Sequence, residues 1–165
     1  MQDATVGTGR IHIAIQTEDF DLSAEVAALR AADPGVGAVC AFVGTVRDRN
    51  EGQAVTALEL EHYPGMTEKA IREMVEAVQG RFGVRAVTVI HRVGPLSMRD
   101  QIVLVAVSAA HRGDAFQACE CLMDGLKTRA PFWKKETLAD GKTRWVDARE
   151  TDEAAQSRWH GARAV

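Results

Sequence analysis

The fold of this chain is decided by two apolar stretches, Val84-Arg-Ala-Val-Thr-Val-Ile-His-Arg-Val93 and Gln101-Ile-Val-Leu-Val-Ala-Val-Ser-Ala-Ala110. Both stretches are rich in Val and Ile, whose branched side chains favour extended backbone. The segment between them, Gly94-Pro95-Leu96-Ser97, has the composition of a turn. The pattern therefore predicts an antiparallel hairpin made of these two strands.

Strand and helix patterns alternate on both sides of this hairpin. Further strands are predicted at residues 10–16, 36–46, 54–62, 132–138 and 143–146. Helices are predicted from residue 21 to about 32, after Pro64-Gly65, and from about residue 114 to 129. The polar residues 47–53 are predicted to form a mobile loop.

The helical periodicity also predicts which side chains are buried. In the second helix, the spacing i, i+3, i+4, i+7 indicates a core face made of Ile71, Met74, Val75 and Val78. In the third helix, the predicted core residues are Phe116, Cys119, Leu122, Met123 and Leu126. No repeat, low-complexity tract or linker divides the chain, so we predict one α+β domain with a mainly antiparallel sheet. Residues 1 to about 9 are predicted as a flexible leader, and about 150–165 as a tail or short helix.

The composition narrows the class of protein. A chain of 165 residues with 46% hydrophobic content can build a compact core without metal or disulfides. Its three cysteines, Cys40, Cys119 and Cys121, lie in apolar stretches, which predicts small buried fillers in a reduced, cytoplasmic protein. No segment resembles a secretion signal or reaches the roughly 20 apolar residues of a membrane span. The net charge of -3 argues against a nucleic-acid-binding protein.

The basic residues are concentrated around the best candidate for chemistry. Residues 127–144 hold six basic and two acidic side chains, which suggests an anionic ligand or an acidic partner surface. In Lys127-Thr-Arg-Ala-Pro-Phe-Trp-Lys134, Pro131 ends a helix, so Lys127 lies in its last turn and Lys134 on the next strand. Amines that are held close together lose protons more easily, and a neutral amine can act as base or nucleophile. Two solvated surface lysines are the alternative.

Two further cationic positions are candidates for binding an anion. His111-Arg112-Gly113-Asp114 opens the third helix, where free N–H groups and the helix dipole favour phosphate; a satisfied turn is the alternative. Arg47 follows a strand and can clamp a carboxylate or phosphate. His91-Arg92 precedes a turn without a helix start, so we assign it a structural role. Phe132 and Trp133 either stack on a planar ring or belong to the core.

Several common catalytic motifs are missing from the sequence. It has no Gly-rich phosphate loop, no H-E-x-x-H, no C-x-x-C and no G-x-S-x-G. We therefore predict no metal site, no cofactor and no serine nucleophile. The remaining candidates are a set of cations that suits an anionic small molecule and a reaction needing a base or charge stabilisation: Arg47, His111, Arg112, Lys127 and Lys134.

Five motifs follow one another between about residues 36 and 150. They are Phe42-Val-Gly-Thr-Val-Arg47, Leu60-Glu-His-Tyr-Pro-Gly-Met-Thr-Glu-Lys69, Val89-Ile-His-Arg-Val-Gly94, His111-Arg112 with Ala115-Phe116, and Leu126-Lys-Thr-Arg-Ala-Pro-Phe-Trp-Lys-Lys-Glu136. In this order and spacing they resemble the large, catalytic subunit of molybdopterin synthase. The resemblance implies an α/β-hammerhead fold, which agrees with the α+β prediction. Arg99 departs from it, because the family often has Gly at that position.

The resemblance also implies a sulfurtransferase with defined partners. Members of the family that the chain resembles are homodimers that bind one small ubiquitin-like subunit at each end, which gives a heterotetramer. The C-terminal Gly-Gly thiocarboxylate of the small subunit delivers sulfur twice to cyclic pyranopterin monophosphate, which makes the dithiolene of molybdopterin. By the same resemblance, Lys127 and Lys134 match the two active-site lysines. Arg47, His111 and Arg112 match the cationic substrate pocket, with Arg47 a candidate for the neighbouring subunit's site.

Two other functions stay open at this point. A non-catalytic module that binds a ubiquitin-like tail or a phosphorylated small molecule predicts tight binding that Lys127→Ala leaves unchanged. Nucleic-acid binding through residues 127–144, with Phe132, Trp133 and Trp145, predicts an affinity that falls steeply with salt. The acidic overall charge argues against the second of these functions.

Overall fold

The computed structural model describes residues 9–146 and 150–160 of the chain. In chain order, its elements are β1 (Ile11–Gln16), α1 (Leu22–Ala31), β2 (Ala38–Thr45), β3 (Arg49–Asn50), β4 (Gln53–His62), α2 (Met66–Phe82), β5 (Ala86–Arg92), β6 (Gly94–Ser97), β7 (Gln101–Ala109), α3 (Arg112–Thr128), β8 (Phe132–Leu138), β9 (Thr143–Val146) and α4 (Glu150–Ser157). The strands form two sheets, with the orders β1-β5-β7-β2 and β3-β4-β8-β9, and β6 pairs with β4. The predicted α+β class is confirmed.

The predicted hairpin forms the centre of the first sheet. β5 and β7 pair antiparallel from Ala86↔Ser108 to His91↔Val103. β2 pairs antiparallel with β7, whereas β1 runs parallel to β5. α2 and α3 cover one face of this sheet and α1 covers the other, so both central strands are buried. The sheet is therefore mainly antiparallel, as expected.

The turn predicted within this hairpin lies elsewhere. Residues 94–97 form β6 and pair antiparallel with β4, and the chain turns over residues 97–100 instead. Leu96 is 2% exposed and packs with Leu58 and Leu60 in a separate apolar cluster. The burial of Leu96 thus outweighs the turn preference of Gly94-Pro95, which sequence composition alone overstated.

The helices carry the predicted core faces, with one exception. All four residues predicted for α2 are buried, and Cys119, Leu122 and Leu126 of α3 are buried as well. Phe116 is 63% exposed, so its assignment to the core was wrong. It lies seven and eleven positions before Met123 and Lys127, which places the three on one flank of the helix beside the buried stripe. Met123 on that flank is half-buried.

The segment 47–53 is more ordered than predicted. Arg49 and Asn50 form the short strand β3, which pairs with Ala54 and Gln53 of β4. The reversal between the two strands uses Glu51 and Gly52, both with positive φ. The Asn50 side chain is buried, which explains why the polar composition misled the prediction: one polar residue here packs inward.

Arg99 strains the turn that leads from β6 into β7. Its φ is 74°, and its N–H donates to the Val46 carbonyl at 3.0 Å. A side chain in this left-handed conformation costs about 1 kcal/mol, which glycine avoids. We expect Arg99→Gly to raise the free energy of unfolding by about 0.5–1 kcal/mol in urea titrations. Arg99→Ala keeps the Cβ atom and should change little; a glycine variant no more stable than the alanine variant would contradict this.

Several remaining predictions concern the termini, cysteines and membrane. Residues 1–8 of the predicted leader lie outside the described residues, and α4 is a short helix within the predicted tail. The three cysteines are free; Cys119 is buried, but Cys40 and Cys121 are only half-buried. Within residues 9–146 and 150–160, no helix has the length and apolarity to cross a membrane.

Candidate active site

The segment around Pro131 brings two elements together at one place. α3 ends shortly before Pro131 and has Lys127 in its last turn. β8 begins directly after it and pairs with β4 and β9. Because strand side chains alternate between faces, one face of β8 carries Phe132, Lys134 and Glu136. The break predicted at the proline is therefore confirmed.

A cavity of about 280 Å³ lies where the two sheets and α3 meet. Three of the predicted site residues line it together: Arg47, Lys127 and Lys134. Arg47 and Lys127 are exposed, whereas Lys134 is half-buried. Other polar residues of its wall are Thr45, Arg49, Asn50, His91 and Glu136, and apolar ones include Phe42, Met123 and Phe132. The cavity thus combines four basic side chains with an apolar floor, which suits an anionic ligand.

The carboxylate of Glu136 fixes one wall of this cavity. Glu136 is 6% exposed, and its two oxygens accept hydrogen bonds from Asn50 Nδ2 at 2.7 Å and from Arg144 Nε at 2.9 Å. Arg144 also donates to the Asn50 carbonyl at 3.0 Å. The buried charge is therefore paired, and the network ties β3 to β8 and β9. It holds the segment with Arg47 and Arg49 against the cavity.

His91 also lines the cavity, contrary to its purely structural assignment. Its ring is stacked on Phe132 with centroids 3.8 Å apart and an interplanar angle of 16°. Burial lowers the pKa of His91 to about 4, and the nearby charges of Lys134 and Lys127 act in the same direction. The imidazole is therefore neutral at physiological pH. Phe132 stacks on this ring and belongs to the cavity wall.

His111 and Arg112 do not lie at this cavity. Both are exposed and stand at the start of α3, where His111 is the N-cap residue. Lys127 is sixteen residues further along the same helix, a rise of about 24 Å. The predicted grouping of all five cations around one pocket is therefore not found within one chain. The reason is that α3 separates His111 and Arg112 at its start from Lys127 in its last turn.

The sequence contained a signal for the residues that were missed. Once Lys134 is assigned to a site on a strand, Phe132 and Glu136 must share its face because the strand repeats every two residues. Arg49 and Asn50 had no such signal, because their position depends on the pairing of β3 with β4. In the described part of the chain, no cluster of His, Cys, Asp and Glu has the arrangement of a metal site.

Comparison with known proteins gives the family. Residues 15–129 match the model of the family described as MoaE protein. The chain belongs to the MoaE family. The matched segment includes Lys127 of the cavity and ends before Lys134.

MoaE relatives match most of the chain. The molybdopterin synthase catalytic subunit of Ralstonia nicotianae is 60% identical over 147 residues, which cover 89% of this chain and 83% of that protein. The solved molybdopterin biosynthesis MoaE protein of Burkholderia ambifaria is 59% identical, with a TM-score of 0.78, and the match covers 91% of this chain and 98% of that one. The family and fold expected from the sequence motifs are confirmed.

A more distant MoaE-like structure comes from a complex. It is the protein–protein complex of subunits 1 and 2 of molybdopterin-converting factor from Helicobacter pylori. The matched chain is 20% identical, with a TM-score of 0.64, and the match covers 85% of this chain and 90% of that chain. At this identity the likeness shows the fold alone.

Proposed function

We propose that this chain is the catalytic subunit of a molybdopterin synthase. It transfers sulfur from the thiocarboxylated C-terminus of a small ubiquitin-like subunit to cyclic pyranopterin monophosphate. The observation that carries this proposal is the convergence of Lys127, Lys134 and Arg47 on one cavity. It occurs in a chain whose relatives carry the name of that enzyme at 48–60% identity.

The two lysines have distinct parts in the proposed reaction. Lys127 meets the thiocarboxylate tail and acts as base or charge stabiliser while sulfur attacks the pterin side chain. Lys134 projects from β8 into the same cavity and positions the ring or the tail. The new carbon–sulfur bond forms as a carbon–oxygen bond of the pterin side chain breaks, and water then cleaves the resulting thioester. Each tail thus leaves one sulfur atom on the pterin and departs as an ordinary carboxylate, so two tails serve each dithiolene. No metal or cofactor takes part in this scheme.

The arginines hold the anionic end of the substrate. Arg47 and Arg49 line the cavity. They belong to residues 47–50, which we call the arm and which the hydrogen bond from Asn50 to Glu136 holds in place. Guanidinium groups bind phosphate with paired, charge-assisted hydrogen bonds. The phosphate would therefore bind beside this arm, with the pterin directed towards Phe132 and His91. This orientation brings the side chain of the pterin towards the lysines.

His111 and Arg112 reach such a site most simply from a second copy of the chain. β2 is one of the two edge strands of the first sheet among the described residues. Phe42 on β2 is 41% exposed and Phe116 on α3 is 63% exposed, which leaves apolar surface for a homodimer. A two-fold interface puts the same surface on both copies, so each subunit would complete its partner's pocket. The small subunits then add to this dimer as a heterotetramer.

An aromatic patch gives the small subunit a further surface. It consists of Tyr63, Trp133 and Trp145, which are each between 43% and 57% exposed. Exposed aromatic side chains are enriched at protein interfaces. Trp133 is next to Lys134 in sequence but lies on the opposite face of β8, so the tail of a partner bound there reaches the cavity by passing around the sheet. We place the complex in the cytoplasm, in accordance with the free thiols of all three cysteines.

A mixed dimer tests whether the second copy completes the site. Differently tagged Lys127→Ala and Arg112→Ala chains are co-expressed, and the dimer that carries both tags is purified. If Arg112 serves the partner's site, one of the two sites is intact, and about half of the wild-type sulfur transfer returns. If Arg112 serves its own chain's site, both sites stay defective and the mixed dimer is as inactive as the two parent variants.

Product formation tests the function itself. Purified protein is mixed with cyclic pyranopterin monophosphate and the thiocarboxylated small subunit, and dithiolene formation is followed. Product is expected in proportion to the thiocarboxylate supplied. Partner binding without any product would instead favour the non-catalytic module that binds a ubiquitin-like tail.

A further inference from the structure

His91 lies at the centre of a rigid framework. It is the sixth residue of β5 and pairs with Ile15 of β1 on one side and Val103 of β7 on the other. β5 is therefore an interior strand of its sheet, and the backbone of His91 is held from both sides. His91 as a whole residue is 8% exposed, and it lines the cavity that contains the two lysines.

The imidazole ring is fixed in one orientation and one tautomer. Its face stacks on Phe132. Nδ1 lies 2.8 Å from the carbonyl oxygen of Arg92. A carbonyl oxygen only accepts hydrogen bonds, so Nδ1 carries the proton and donates it to this bond. Nε2 is then the acceptor nitrogen of the neutral ring.

Nε2 is the unmatched atom of this otherwise fixed side chain. Among the hydrogen bonds found between described residues, the one made by the His91 ring uses Nδ1 and none uses Nε2. Four neighbours on the cavity wall, Arg47, Arg49, Lys127 and Lys134, present hydrogen-bond donors. The carboxylate oxygens of Glu136 are already bonded to Asn50 and Arg144. His91 therefore offers a neutral acceptor in a wall made largely of donors.

We propose that His91 is a specificity-determining residue that accepts a hydrogen bond from an N–H group of the substrate's heterocycle. This inference rests on the proposed function and adds a specificity element to it. The arginines and lysines recognise the anionic part of a ligand, and they do not distinguish one phosphate ester from another. A fixed acceptor in a buried wall distinguishes a ring that carries N–H donors from one that does not, because an unpaired polar group there is costly.

Three substitutions of His91 distinguish the effect of the Nε2 acceptor on binding from the effect of the ring that stacks on Phe132. His91→Phe keeps an aromatic ring against Phe132 and removes the acceptor. His91→Gln places an amide oxygen near the position of Nε2, whereas the shorter side chain of His91→Asn reaches only the position of Nδ1. Thermal unfolding of each variant establishes that it is folded before binding is measured.

The test is equilibrium binding of cyclic pyranopterin monophosphate to the protein without the small subunit. We expect His91→Phe and His91→Asn to weaken binding about tenfold and His91→Gln to lie within about threefold of wild type. Inorganic phosphate, which has no heterocycle, should bind all four proteins equally. If His91→Phe fails to fold, the comparison of the Gln and Asn variants decides, since only Gln restores the acceptor.

The outcomes of this binding test distinguish a failure of the role inferred for His91 from a failure of the proposed synthase function. If wild type binds the pterin and His91→Phe binds it equally tightly, the role of Nε2 is overturned while the synthase stands. Equal weakening by Gln and Asn, with normal binding by Phe, would assign His91 to stacking alone. If wild type binds no pterin at all, the proposed function fails, and the assignment of His91 fails with it.

Discussion

Lys127→Ala is expected to lower the rate of sulfur transfer by about 10²–10⁴-fold, the range for losing a general base or a charge stabiliser. Lys127 is exposed and lies in the last turn of α3, so its removal leaves no buried group unsatisfied. The free energy of unfolding should therefore change by less than about 0.5 kcal/mol. The rate is measured by dithiolene formation under single-turnover conditions.

Two further variants show whether the loss of rate depends on the place of Lys127 in the cavity and on its positive charge. Lys142 is exposed in the turn between β8 and β9 and does not line the cavity, so Lys142→Ala should retain the wild-type rate. Lys127→Arg retains the charge and cannot act as a base. Activity in the arginine variant would indicate charge stabilisation, whereas its loss would indicate proton transfer. An alanine variant with the full rate would remove Lys127 from the mechanism.

Glu136→Ala is expected to give the largest loss of stability, about 2–4 kcal/mol. The substitution removes the buried carboxylate that accepts hydrogen bonds from both the partly buried guanidinium of Arg144 and the buried amide of Asn50. It also releases the arm that carries Arg47 and Arg49, so the affinity for substrate should fall as well. Urea unfolding and pterin binding measure the two effects separately.

A surface ion pair provides the comparison for Glu136. Glu120 pairs with Arg158, and both side chains are about half exposed. Glu120→Ala should cost less than about 1 kcal/mol, because solvent screens the pair and hydrates the remaining charge. If Glu136→Ala were as mild as Glu120→Ala, the buried network would not be what holds the arm in place.

The parts of the fold that follow from local periodicity could be predicted from the sequence. β8 and β9 have the bounds expected from their alternation, and the buried face of α2 follows from its 3.6-residue repeat. β6 could not be predicted in this way, because Leu96 finds its apolar partners on β4, more than thirty residues earlier in the chain. Local composition carries no information about such a contact.

The candidate site shows the same division. Lys127 and Lys134 were predictable because Pro131 lies between them and fixes a helix end next to a strand. The pairing of Glu136 with Asn50 was not, because it joins residues from two strands that are distant in sequence. Charge type and the family resemblance suggested a common pocket for His111 and Lys127, and within one chain the length of α3 separates them. Sequence thus gave the chemistry of the groups better than their distances.

The alternation of side chains along β8 restricts how this segment can vary between lineages. One residue gained or lost between Pro131 and Lys134 would shift the strand by half its repeat. Lys134 and Glu136 would then leave the cavity, and their neighbours would replace them. Substitutions within this short stretch are thus tolerable where insertions and deletions are not. Length changes are easier to accept in the turn at residues 139–142, which lies after Glu136 and leaves the facing of the earlier residues intact.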